Sequence, residues 1–159
     1  MVPCLDTRTC VFNGIEDQKL AGFSLELADG WSPKLDGGFD QSRRRMARSP
    51  EFVGPDEATM RVIRITDPTD DLMKASTAQL DDARSKWGDR YWPVNRKGLH
   101  GGWFPFPKGP KGGIWIVGKL IAGHELYDLS LRFTKMPDQS AIAELLIMTR
   151  SIDRNPQRT

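Results

Sequence analysis

The sequence predicts a single α+β domain, an antiparallel sheet with helices packed on it. Three observations predict it. The chain has 159 residues, which suits one domain. Several short segments alternate apolar and polar residues, as half-buried strands do. Two other segments carry apolar residues at helical spacing.

The elements follow in order. Residues 1–18 read as an N-terminal leader with turn residues and little periodicity, packing along the domain, which spans 19–152. Phe23, Leu25 and Leu27 share one face of a first strand, with Ser24 and Glu26 on the other. Ala28-Asp29-Gly30 turns the chain, and Trp31 closes an end of the core. Pro33, Gly37 and Gly38 mark a loop. Arg43–Arg48 forms a second strand. Met60–Thr66 forms a third, with Val62, Ile63 and Ile65 supplying β-branched residues to both faces and Pro68 ending it. Ser76 and Gln79 have capping-box spacing, Leu80, Ala83 and Trp87 follow helical spacing, and Gly88 is a stop, so the spacing predicts a helix over 77–87.

Gly98–Phe106 holds a fourth strand, and Pro105 and Pro107 argue against a central strand at that end. Ile114–Ile121 is apolar on both faces, so its sheet needs cover on both sides. Gly123 turns it into His124–Phe133, where Tyr127, Leu129, Leu131 and Phe133 alternate with Asp128, Ser130 and Arg132. Pro137 and Asp138 open a last helix to about Arg150, with Ile142, Leu145, Leu146 and Thr149 on one face. Residues 153–159 are polar and read as a flexible tail. The predicted order is β-β-β-α-β-β-β-α.

This order resembles the PsbP-like superfold. The resemblance rests on the opening strand with its Gly-Trp turn, Phe23–Trp31, and on the closing hairpin Ile114–Phe133 with a helix ending near Thr149-Arg150-Ser151-Ile152. It implies an antiparallel sheet with packed helices. Because the superfold includes photosystem extrinsic proteins, a nuclear-transport GTPase regulator and type VI secretion effector-associated chaperones, it also implies protein binding more often than catalysis. It carries over no functional residue.

Composition narrows the function classes. Apolar residues make up 38% and charged residues 28%, which is ordinary for a globular chain and argues against disorder. The net charge of +2 is too small to argue for nucleic acid. No run of about 18 apolar residues exists, so no membrane span is expected. No signal peptide is read either. Arg43, Arg44, Arg45 and Arg48 form a basic cluster and Asp67, Asp70 and Asp71 an acidic one. Both fit solvated surface, and both fit a partner of opposite charge.

Catalytic motifs fail on stated requirements. His100 and His124 each stand alone, and His124-Glu125 lacks the second histidine of a zinc motif. No Gly-x-Ser-x-Gly elbow occurs. Asp81 and Asp82 are adjacent on a helix and point about 100° apart. The glycine-rich Lys108–Gly113 precedes a strand rather than a helix, so its amides and a helix N-terminus do not converge on a phosphate. No cofactor and no metal is expected, and the chain reads as non-enzymatic.

The most informative stretch is aromatic and basic. Tyr91, Trp92, Trp103, Phe104 and Phe106 lie among Arg90, Arg96, Lys97, Lys108 and Lys111. Such a mix serves as core, as protein interface or as a stacking surface for single-stranded nucleic acid. The prolines favour a projecting loop and so an interface. The candidate partner-binding residues are Trp103, Phe104, Phe106, Lys108, Trp92 and Arg90, with Arg43 and Arg44 beside them. The expected partner is another protein, such as a toxin or secreted effector held by a bacterial immunity protein or secretion adaptor. The alternative is a small-ligand or lipid-binding domain with Trp92 and Trp103 lining a pocket. Cys4 and Cys10 are close enough to close a small loop as a disulfide, and equally serve as two thiols. A disulfide implies an exported, periplasmic protein; free thiols leave the cytoplasm open.

Overall fold

The computed structural model describes residues 9–12, 22–34, 39–40, 45–46, 50–107 and 113–153. Its strands are β1 (Thr9–Phe12), β2 (Phe23–Glu26), β3 (Ser32–Pro33), β4 (Phe39–Asp40), β5 (Arg45–Met46), β6 (Glu51–Val53), β7 (Thr59–Ile65), β8 (Trp92–Arg96), β9 (Leu99–Pro105), β10 (Ile114–Ala122) and β11 (Glu125–Phe133). The helices are α1 (Asp70–Trp87) and α2 (Gln139–Arg150). A seven-stranded antiparallel sheet in the order β3-β6-β7-β11-β10-β9-β8 organises the domain, and β1-β2 and β4-β5 are separate pairs. The fold is therefore α+β, as the alternation of the strands predicts.

Both faces of the sheet are covered, as the doubly apolar β10 requires. On one face, Met60, Val62, Trp103, Ile116, Leu120, Leu129 and Leu131 pack with Ile142, Leu145 and Met148 of α2 and with Phe23 and Leu25 of β2. On the other, Phe104, Ile121 and Leu126 pack with Leu80 and Ala83 of α1. The leader joins this scheme: β1 pairs antiparallel with β2, and Cys10 is buried. After α2 the chain returns to bridge Asp153 to Ser24.

Four sequence expectations change. The first helix starts at Asp70, not Thr77. Thr69 caps it by accepting from the Leu72 amide at 3.1 Å, and Asp70 and Asp71 occupy its positive first turn. Met73, Ser76, Leu80, Ala83 and Trp87 then run along one face, so Ser76, expected as the cap, is buried mid-helix as a small packing residue. Second, Trp92–Arg96 is a strand. It tolerates Pro93 because it is the sheet edge. Third, β9 keeps its ladder through Pro105, opposite Ile116. The edge strand β8 ends opposite Trp103, so Pro105 has no outer neighbour that needs its missing amide. Fourth, the expected strand Arg43–Arg48 is represented by the two-residue β5, Arg45–Met46; Arg43 and Arg44 lie outside the described residues.

Two glycines make the central hairpins possible. Gly118 leaves room for the Trp103 ring, which a methyl group there would meet at 3.0 Å. Gly101 has φ +152°, and a side chain there would run into the Lys119 carbonyl oxygen at 1.9 Å.

Candidate binding groove

The aromatic stretch divides between core and surface. Trp103 is fully buried, and its indole Nε1–H donates to Thr149 Oγ1 at 3.3 Å. Thr149 in turn donates to the Leu145 carbonyl at 2.8 Å, so the pair ties β9 to α2. Phe104 is buried on the opposite face, where it stacks with Tyr91 at 6.5 Å and an interplanar angle of 13°. Both rings therefore belong to the interior, and the expected projecting loop from Trp103 to Phe106 is corrected: alternation in β9 sends consecutive rings into the two cores. Trp92, opposite Trp103 on the edge strand, is half-buried against the α2-side core. Trp103 is enclosed by Gly118, Leu129 and Thr149, so it supports the core rather than a ligand pocket.

The surface part is elsewhere in the same stretch. Phe106 is 39% exposed and lies just past β9, where its amide donates to the Trp115 carbonyl at 2.9 Å. The end of α1 and the following turn bring Trp87 and Arg90 alongside. These residues, with Pro107 and Ile114, line a groove of ≈ 320 Å³. Arg90 lies over the Trp87 ring at 5.5 Å, and Lys86 over the same ring at 5.1 Å. A cation over an indole face is held by the ring quadrupole and keeps its charge toward solvent. The groove thus offers apolar ring surface with Arg90 in its lining and Lys86 over the same indole. That is the chemistry of interface anchors, where Trp and Arg contribute most of the binding energy.

Of the expected partner-binding residues, the structure brings Arg90 and Phe106 to this groove. Lys108, Arg43, Arg44 and Cys4 lie outside the described residues. Trp87 and Trp115 were missed as surface residues, because Trp87 fits the apolar face of α1 and Trp115 sits in a strand apolar on both faces. The signal for them is the hairpin: reading Lys108–Gly113 as its turn pairs Phe106 with Trp115.

Other polar groups serve the framework. Arg64 forms a double contact with Glu125, Nε to Oε1 at 3.1 Å and Nη2 to Oε2 at 2.7 Å, and its Nη1 donates to the Gly22 carbonyl at 2.7 Å. On the sheet face beyond α1, Glu51 accepts from Lys34 at 3.2 Å and Arg61 at 2.6 Å. Burial pushes the Glu51 carboxyl up, but the hydrogen bonds from Arg61 and Lys34 outweigh it and hold the group below its ordinary range. His100 and His124 are both exposed. Among the described residues no three His, Cys, Asp or Glu side chains converge as a metal site, and no helix is long and apolar enough to cross a membrane.

No family model and no curated protein sequence matches the chain. Among solved structures it is similar to a protein of Bacteroides thetaiotaomicron, with 14% identity and a TM-score of 0.49 over 92% of this chain. The chain spans about half the length of that protein, 48%. It is also similar to PsbP of the cyanobacterium Synechocystis, with 9% identity, a TM-score of 0.43 and 94% of each chain covered.

Proposed function

We propose that this chain is a non-enzymatic protein-binding domain that holds an acidic, apolar-anchored segment of a partner in the groove of Trp87, Arg90, Phe106 and Trp115. The observation that supports this reading is the combination in one groove of an exposed phenylalanine with an indole carrying two cations. Exposed aromatic surface beside Arg is the composition of interface hot spots, and the cations favour a partner of opposite charge. A bacterial immunity protein or secretion-effector adaptor, with a toxin or secreted effector as partner, is the role we assign within this reading.

Selection of random linear peptides displayed on phage against the immobilised chain tests it. Enriched peptides are expected to carry an aromatic or aliphatic anchor flanked by Asp or Glu, and to lose binding to Phe106→Ala and Arg90→Glu. Failure to enrich any peptide, or binding untouched by both substitutions, would overturn the reading.

A further inference from the structure

A second cleft, of ≈ 340 Å³, lies at the other end of the β9–β10 pair. The β8–β9 turn (Arg96, Lys97, Gly98), the β10–β11 turn (Ala122, Gly123) and Asp153 form its walls, and Tyr127 is part of its lining. Tyr127 is 1% exposed, and its hydroxyl is buried with no hydrogen-bond partner among the described residues. Phe23 meets the Tyr127 ring edge-on at 6.3 Å, a contact that phenylalanine would make equally well. The packing therefore does not account for the hydroxyl, and an unpaired buried hydroxyl is costly enough to call for a partner.

The surroundings define that partner. Burial pushes the Tyr127 hydroxyl up from its ordinary range, so it is protonated at neutral pH and donates. Its partner must accept. The charged groups that bear on it are Arg64, Glu125, Asp153 and Arg96. Arg64 and Glu125 neutralise each other across 2.7 Å. Arg96 donates to the carbonyls of Arg150 and Ile152, which position the guanidinium without cancelling its charge. Lys97 stands beside it in the lining and is exposed. Against these two cations the lining sets, among the described residues, one carboxylate, Asp153.

We infer that this cleft binds a small oxyanion, a carboxylate or phosphate group, which accepts a hydrogen bond from Tyr127 and is held electrostatically by Arg96 and Lys97. The site is separate from the aromatic groove and does not rest on the protein-binding reading.

The test follows backbone amide signals of Gly98 and Gly123 by NMR while sodium acetate, sodium phosphate or sodium chloride is added at constant ionic strength. Acetate or phosphate is expected to give saturable shifts that chloride does not, and the anion that saturates identifies the source chemistry. Tyr127→Phe is expected to leave the unfolding midpoint unchanged or higher, while Tyr127→Phe and Lys97→Ala each weaken the anion at least tenfold. Lys97 lies on the surface, so its variant reports on binding without a folding cost. Absence of saturation with both oxyanions would overturn the inference. So would undiminished affinity in both variants, or a Tyr127→Phe protein less stable by a full hydrogen bond, because the hydroxyl would then already be paired.

Discussion

The two ends of β9 differ in kind. At the Pro105 end, rings from three elements meet at the surface, with cations over one of them. At the Leu99 end, two turns and Asp153 line a cleft beside a buried hydroxyl, and backbone carbonyls hold the Arg96 guanidinium. Between the ends, Trp103 and Phe104 anchor the strand to the two cores. One strand thus carries an aromatic groove at one end and a more polar cleft of similar size at the other. The difference shows that aromatic content alone does not locate a binding surface. The side of the strand and the distance from its end decide which rings reach solvent.

The largest effect is expected between the two ends of β9. Trp103→Ala removes a fully buried indole and its hydrogen bond to Thr149, so it should cost about 3–5 kcal/mol in urea unfolding. A loss under about 1 kcal/mol would mean that the strand is not anchored there.

At the Leu99 end, Glu125→Ala leaves the part-buried Arg64 without its double contact and should cost about 3 kcal/mol. Replacing both residues by apolar ones of similar size should recover much of that loss, since the pair itself is worth little beyond its own desolvation. A double variant as unstable as the single would contradict this.

Glu51 is held below its ordinary value of 4.5 in the folded state, so its contribution is present above that pH and is lost as the pH falls through the folded value. Glu51→Gln should therefore flatten the acid limb of a stability–pH curve by well under about 1 kcal/mol, since Lys34 and Arg61 are half-exposed. An unchanged acid limb would show that the pair is not formed in solution. For the expected Cys4–Cys10 bond, intact mass with and without reductant should differ by two hydrogens; equal masses would remove the reason to expect export.

β2 and β11 were legible in the sequence because burial of one face imposes a period of two on them, and β7 and β10 because they carry β-branched or apolar residues on both faces. The start of α1 was not. Ser76 and Gln79 offer a local capping box, but the apolar face continues back through Met73, and burying that face outweighs the cap. β8 was hidden because Pro93 interrupts it, and only its edge position makes the proline tolerable. The candidate groove was half legible. Arg90 and Phe106 stood out as a basic residue and an aromatic among prolines, whereas Trp87 and Trp115 carry the periodicity of core residues and reach the surface only because their elements end there. The Tyr127 hydroxyl was not legible at all, since alternation places a ring on a face without saying what its tip will meet.

Phe106→Ala tests the proposed partner surface at the Pro105 end when stability and binding are measured on the same sample. Because the ring is only 39% exposed, its loss should cost about 1–2 kcal/mol, well below the cost of Trp103→Ala. Affinity for a phage-selected acidic peptide should fall at least tenfold. A destabilised protein that still binds the peptide with unchanged affinity would contradict the account.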